Sequence, residues 1–323
     1  MSLHPFESLT PDFILNAVET TGLWPDARIY PLNSYENRVY QVGIEDDPAV
    51  IVKFYRPNRW NSTQLLEEHN TLLRLQTAGV KVVAPRVFDG KSLLQHGAFQ
   101  FCIYDKIQGQ SPDADNLDHL FATGEIIGQL HQAMAQNDFV SRAILAPIDE
   151  IKQASQSLLV SDLLAKDFKP RYQRICNELL QKCTATMALY WPKTLVPIHG
   201  DCHRSNILVK DNELYLLDFD DCKMGVAIQD IWLHLSGDIQ QQKQQLSELI
   251  EGYESYYDFD RQQLPLIDVL KAYRLIQYSA WLLARWADPA FPRAFPWFAS
   301  EDYWINHLKQ LEECLLQWGQ LSQ

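Results

Sequence analysis

The rhythm of apolar and polar positions changes along the chain. Up to Gly109, strand-like and helix-like segments mix. Arg38–Ile44 and Val50–Tyr55, the second rich in β-branched residues, read as strands. Glu45-Asp46-Asp47-Pro48 between them carries turn chemistry, so the pair predicts a hairpin. Asn61-Ser62 can cap a helix running to Thr77. Gly79 and Pro85 then break the pattern, and Phe99–Tyr104 reads as a further strand. From Ser111 onward the spacing is helical: Leu120–Gln136, Arg171–Trp191, Gln229–Ser236, Gln242–Tyr256 and Pro265–Trp286. One β-rich island, Thr194–Asp218, interrupts these helices. The expectation is an α+β chain of two lobes. A small β-rich N-terminal lobe spans 1–106, and a large, mainly helical C-terminal lobe spans 107–323, with a connector near Asp105–Gly109. A cleft between lobes is a common place for a ligand.

Composition narrows the classes without changing this layout. Apolar residues make up 46% of the 323 and charged residues 21%, which is enough for a buried core and excludes a disordered chain. The 28 basic and 41 acidic residues leave a net charge of −13, against a nucleic-acid or anionic-membrane binder. The longest apolar stretch, around Tyr278–Ala284, ends at Arg285, short of the ~18 residues of a membrane span. Met1-Ser2-Leu3-His4-Pro5 has no basic segment followed by an apolar run, so no signal peptide is expected. None of the six cysteines forms a C-x-x-C pair, so neither a zinc site nor a disulfide framework is indicated, and the cytoplasm is the expected compartment.

The island holds the chemistry. It reads His199-Gly200-Asp201-Cys202-His203-Arg204-Ser205-Asn206, then Ile207–Val209, the turn Lys210–Glu213, the return strand Leu214–Leu217, and Asp218. In an antiparallel hairpin the start of one strand lies beside the end of the other, so Asn206 and Asp218 become neighbours. Asp201 sits in the loop that delivers the chain to Asn206. Such a grouping of oxygens suits magnesium, which takes one or two carboxylates, waters and substrate phosphates. Asp218 supplies charge and Asn206 an amide oxygen, while Asp201 stays free to orient and deprotonate a hydroxyl.

The string His-x-Asp-x-x-x-x-Asn, followed by a hairpin and an Asp, resembles the catalytic and metal segments of protein-kinase-like phosphotransferases. The form His-Gly-Asp-x-His-x-x-Asn is closer to the aminoglycoside phosphotransferase and choline kinase branch. Three further stretches resemble the bacterial stress response kinase A family: Leu32–Tyr40, Val52–Pro57 and Arg285–Pro292. The resemblance implies a two-lobed protein-kinase-like fold and ATP- and magnesium-dependent phosphotransfer. It implies Asp201 as proton acceptor, Asn206 and Asp218 as magnesium ligands, Lys53 and Ser34 at the nucleotide phosphates, and Tyr104 to Ile107 as the adenine-holding hinge. The implied partner is a protein substrate with a serine or threonine acceptor in stress response. A metabolite alcohol is the alternative, favoured by the short segment after Asp218. No nucleic-acid or membrane partner is expected, and the chain is expected to be a monomer.

Periodicity adds two expectations. Lys53 shares a strand face with Ile51 and Tyr55 and can aim into a cleft. Glu68 lies in the stripe Leu65, Glu68, Leu72, Leu75 and is expected to face inward and pair with Lys53, whereas Glu67 is expected to face outward and be dispensable. Three features depart from protein kinases. The phosphate loop has no Gly-x-Gly, the metal string ends Asp218-Phe219-Asp220, and only eleven residues separate Asp218 from Asp230, so a long activation segment is not expected. His199 reads as structural, Asp230 as an anchor for the catalytic loop or a plain helix-terminus residue, and Cys202 and Cys222 as small buried thiols. Trp281–Trp304 reads as helix core plus a proline-bounded loop.

Overall fold

The computed structural model describes residues 5–322, so most of the opening segment in which no leader is expected lies outside the described residues. Thr10 caps helix α1 (Pro11–Glu19) through its side-chain oxygen. Strands β1 (Pro25–Pro31), β2 (Arg38–Ile44) and β3 (Asp47–Phe54) follow. The hairpin turn between β2 and β3 uses Asp46 at φ 56°, a left-handed position that Asp tolerates. Helix α2 (Ser62–Thr77) opens with a capping box: Asn61 accepts from the Gln64 amide, and the Gln64 side chain accepts from the Asn61 amide. After β4 (Leu94–His96) and β5 (Phe99–Asp105) the antiparallel sheet is complete, in the order β1-β2-β3-β5-β4.

Alternation along β3 sorts its side chains between two layers. Val50, Val52 and Phe54 pack with Ile14 and Val18 of α1 on one face. Ile51 and Tyr55 turn to the other, against Leu65 of α2 with Cys102 and Tyr104 of β5. Lys53 shares this second face, so its ammonium points under α2 and away from solvent.

The helical part contains α3 (Leu117–Met134), α4 (Pro147–Val160) and α5 (Lys169–Tyr190). Four short strands come next: β6 (Val196–Ile198), β7 (Ile207–Lys210), β8 (Glu213–Leu216) and β9 (Lys223–Gly225). Helices α6 (Ile228–Trp232), α7 (Ile239–Glu254), α8 (Leu266–Arg285), α9 (Ala290–Ala294) and α10 (Glu301–Leu316) complete it. No helix among the described residues is long and apolar enough to cross a membrane. Trp304 and Phe298 are fully buried, so much of the aromatic-rich tail is core.

Packing cuts across the chain order. Leu72 and Leu75 of α2 and Val80, Val82 and Ala84 after it belong to the large core of the helical part. The Val83 amide bonds Leu216 O at 3.0 Å and the Leu216 amide bonds Lys81 O at 2.9 Å, so this segment runs alongside β8. The connector docks there too: Gln110 and Val209 exchange both backbone hydrogen bonds. A Cβ on Gly109 would come 2.8 Å from Val209 O, so glycine is what allows this approach.

Elements absent from the sequence reading have weak signals. β1 begins and ends with proline, carries charged Asp26 and Arg28, and contains a register shift with Ala27 at φ 68°. The segment expected to be helical over Gln229–Ser236 forms helix only to Trp232, because Gly237 adopts φ 79° and the Ser236 amide turns to the side chain of Gln245. Gln245, which accepts that bond, is buried.

Candidate active site

The loop after β6 is built around one buried carboxylate. Asp230, completely buried on α6, accepts from the amides of His199 (2.7 Å) and Gly200 (2.8 Å) and lies 3.0 Å from His131 Nε2. The His199 ring then spans the site. Its Nε2 donates to Leu217 O at 2.7 Å, which leaves Nδ1 to accept from the Asp201 amide at 3.3 Å. One imidazole therefore ties the loop carrying Asp201 to the strand end carrying Asp218.

Hairpin register brings the predicted oxygens together. Ile207 pairs with Leu216, and the Leu217 amide bonds Asn206 O at 2.9 Å. Asn206 Nδ2 donates to Asp201 O at 3.0 Å, so its Oδ1 is the free end of the amide. Asp218 sits at φ 54°, ψ 70°, a left-handed conformation that costs of order 1 kcal/mol for a non-glycine residue. Its side chain is half exposed. No group of three His, Cys, Asp or Glu suited to a metal exists among the described residues. An exposed carboxylate beside a free amide oxygen fits magnesium, which keeps most of its shell as water and phosphate.

The Asp201 carboxylate is not free. Oδ1 accepts from Arg274 Nη1 at 2.7 Å, and Oδ2 lies 3.4 Å from His203 Nε2. Burial pushes its acidity down, but the His203 hydrogen bond and the Arg274 charge outweigh it and hold the carboxyl well below its ordinary pKa.

Lys53 is buried and bonded to Asp218 Oδ1 at 2.8 Å, with Asp220 at 3.3 Å. Asp220 is also bonded to Arg59, which holds Asp221 at 2.8 Å. Glu68 faces inward and is 1% exposed, but its closest ion-pair partner is Arg142 at 3.7 Å, and neither carboxylate oxygen makes a hydrogen bond. The Lys53–Glu68 pairing expected from the stripe is therefore replaced. Asp220 stands where protein kinases have glycine and supplies Lys53 with a second carboxylate, while Arg142, from the loop before α4, supplies Glu68 with another cation. Burial raises the Glu68 pKa to about 7, with Lys53 pulling the other way.

Glu67 also departs from expectation. Its carboxylate accepts from three consecutive amides, Val140 (2.6 Å), Ser141 (2.9 Å) and Arg142 (2.8 Å). Arg142 in turn donates to Cys222 O (3.0 Å), Phe219 O (3.3 Å) and Asp220 O. Glu67 is thus the first link of a chain from α2 to the backbone behind Asp218. The partners lie more than seventy residues away, beyond the reach of helical spacing.

The loop with Ser34 is clamped rather than free. Ser34 Oγ donates weakly to Asn37 O at 3.4 Å, and Asn37 Oδ1 accepts from the Arg56 amide at 3.0 Å. Arg56 donates to Glu36 O (2.8 Å) and Tyr35 O (3.0 Å). Glu36 receives Trp281 Nε1 at 2.7 Å and Arg285 Nη2 at 2.9 Å, and Asp288 receives Arg38 and Arg56. Tyr35 packs edge-on to Phe295 at 4.7 Å. The loop without glycine is thereby fixed by the end of α8 and the segment that follows it. At the other end of the sheet, Tyr104 is buried opposite Ile51, and half-buried Ile107 lies two residues beyond the end of β5. Six residues that sequence reading did not single out carry this network: Asp220, Arg59, Arg142, Arg274, Glu36 and Asp288. Asp220 had a signal as a departure from Asp-Phe-Gly, and Glu36 and Asp288 lay inside the stretches Leu32–Tyr40 and Arg285–Pro292.

Comparison with known proteins agrees with this geometry. Residues 28–267 match the phosphotransferase enzyme family. Stress response kinase A of Escherichia coli is 40% identical over 307 residues, covering 94% of this chain and 92% of that protein. Serine/threonine protein kinase RdoA of Salmonella typhimurium is 40% identical over 319 residues, covering 97% and 96%. The fold is shared with amicoumacin kinase hAmiN, at TM-score 0.71 and 21% identity over 94% and 93% of the two chains. A spectinomycin phosphotransferase superposes at TM-score 0.69 and 14% identity over 97% and 98%. The chain belongs to the phosphotransferase enzyme family and, within it, to the stress response kinase A family. The fold is the protein-kinase-like one, with an N-terminal five-stranded antiparallel sheet and a helical C-terminal part.

Proposed function

We propose that this protein is an ATP- and magnesium-dependent kinase that phosphorylates serine or threonine hydroxyls of protein substrates in a stress response. The observation that carries the reading is the convergence of Asp201, Asn206, Asp218 and Lys53, from three separate segments, at one end of one hairpin. The 40% identity to a protein named as a serine/threonine protein kinase supports the acceptor class. Lys53 and the Ser34 loop hold the nucleotide phosphates, and the backbone from Tyr104 to Ile107 holds adenine. Asn206 and Asp218 hold magnesium, which when bound neutralises phosphate charge. Lys53 keeps Asp220 as a partner when Asp218 turns to the metal. Asp201 orients the acceptor hydroxyl and takes its proton. Most of the rate then comes from positioning and charge neutralisation. The six cysteines are free and buried, which suits a reducing compartment such as the cytoplasm.

The test is transfer from radiolabelled ATP with magnesium to generic protein acceptors and, separately, to a pool of metabolite alcohols. Label on serine or threonine of protein is the expected result. Label on metabolites alone moves the protein to the small-molecule kinases, and no label in either arm overturns the reading.

A further inference from the structure

Arg274 is on α8, more than seventy residues from the catalytic loop, yet it makes the shortest side-chain contact to Asp201. The contact is single. Nη1 reaches Oδ1 at 2.7 Å, whereas Nε and Nη2 make no hydrogen bond among the described residues, and the side chain is 42% exposed. An arginine placed only to neutralise a carboxylate more often engages it with two parallel hydrogen bonds. A full positive charge on a proton acceptor also weakens it as a base, so the arrangement needs a second purpose.

Position supplies one. The acceptor oxygen must lie against Asp201, and the transferred phosphoryl group must lie against the acceptor oxygen. A guanidinium already on Asp201 is therefore beside the phosphoryl group during transfer. His203, where protein kinases commonly have lysine, is tied back to its own loop: Nδ1 accepts from the Ser205 amide at 3.2 Å and Nε2 lies 3.4 Å from Asp201 Oδ2. Lys53 is buried on the nucleotide side among Asp218 and Asp220.

We propose that Arg274 is a catalytic residue: Nη1 holds Asp201 while the free guanidinium N–H groups hydrogen-bond the phosphoryl oxygens as the group passes from ATP to the acceptor. The bond between the γ-phosphorus and the β–γ bridging oxygen breaks, and the bond from the acceptor oxygen to phosphorus forms. The acceptor proton goes to Asp201, and ADP leaves with the bridging oxygen. Charge spread over the phosphoryl oxygens at the midpoint of such a transfer is what a positioned guanidinium stabilises. The inference rests on the kinase reading above.

The experiment uses the full chain, as wild type, Arg274→Met and Arg274→Lys, with thermal melts to confirm folding. Two affinities are measured with magnesium: one for AMP-PNP, a ground-state mimic, and one for ADP with aluminium fluoride, a mimic of the phosphoryl group in flight. Arg274→Met is expected to bind AMP-PNP like wild type, to lose affinity for the aluminium fluoride complex, and to lose roughly 10²–10³-fold in kcat. Added ethylguanidinium is expected to restore part of that kcat, and Arg274→Lys to fall between. Equal loss of both affinities, or a change confined to the acceptor KM or to the pH profile, would make Arg274 a positioning or recognition residue and overturn the proposal. Wild type that binds neither probe overturns the kinase reading itself, so the two failures are distinguishable.

Discussion

Asp201 and Ser34 are both held in short loops, but by different physics. Around Asp201 the ties are hydrogen bonds to main-chain groups: His199 to Leu217, Asn206 to the Asp201 carbonyl, and Asp230 to two successive amides. His199 and Asp230 are wholly buried and lie 31 residues apart in the chain. Around Ser34, besides the hydrogen bonds from Arg56 to Glu36 O and Tyr35 O, the long-range ties are ion pairs. Glu36 meets Arg285, and Arg38 and Arg56 meet Asp288, across 232 to 250 residues; the Arg285 and Arg38 pairs are partly exposed and the Arg56 pair is buried. Buried backbone bonds ignore salt, whereas partly exposed ion pairs are screened by it. The backbone of the catalytic loop is therefore set by its hairpin and by Asp230 of α6, while the Asp201 carboxylate also takes an ion pair from Arg274 of α8. The phosphate loop is set only when the end of α8 and the tail after it have docked on the sheet.

The largest expected effect sharpens the first half of that comparison. Asp201→Asn should lose on the order of 10²–10⁴-fold in turnover while melting like wild type and retaining AMP-PNP binding. A variant with near-normal turnover would show that Asp201 is not the base. Asp218→Ala should abolish the magnesium dependence of ATP binding, and Asn206→Ala should only weaken it, since a carboxylate offers the metal charge and an amide only a dipole. Calorimetry with and without magnesium checks this, and identical affinities in wild type and Asp218→Ala would refute the metal assignment.

The second half is tested at the clasp. Arg285→Ala should raise the KM for ATP about tenfold, equivalent to about 1.4 kcal/mol, with a smaller change in kcat. The same KM should rise with ionic strength in wild type and barely respond in the variant. A salt-independent wild-type KM would mean the clasp does not govern the loop. Glu67→Gln should lower stability by about 1–3 kcal/mol, because three backbone donors lose a charged acceptor. Denaturant titration measures this, and an unchanged midpoint would restore the view that Glu67 is dispensable.

The last prediction concerns Glu68 and pH. Its pKa rises from 4.5 to about 7 on folding, mainly by burial, so the folded state binds the proton more tightly than the unfolded state. Stability must then fall as pH rises from about 4.5 through 7 and level off above. Glu68→Gln should remove that slope. If wild type and variant show parallel stability between pH 5 and 7, the carboxylate is ionised throughout and Lys53 and Arg142 compensate its burial fully.

What could be read from the chain has a common form. The caps of α2, the β2–β3 hairpin and the β7–β8 hairpin are local, and their signals lie within a few residues of what they determine. The neighbourhood of Asn206 and Asp218 follows from hairpin geometry, and the inward face of Glu68 follows from helical period. The edge strand β1, with prolines at its ends and a register shift, carries no such signal, and its place depends on pairing with β2.

Charge pairing was beyond the sequence for a different reason. A face can be assigned by periodicity, but a charge carries no address, and any guanidinium satisfies any carboxylate it meets. Sequence alone determined that Lys53, Glu68 and Asp201 would be turned inward or held in a loop with chemistry to do. Only the tertiary structure decided that Lys53 meets Asp218 and Asp220, Glu68 meets Arg142, Glu67 grips the backbone at 140–142, and Asp201 is held by Arg274. Those choices are made by distances between segments remote in the chain, and packing of the sheet, α2 and α8 on the helical core sets those distances.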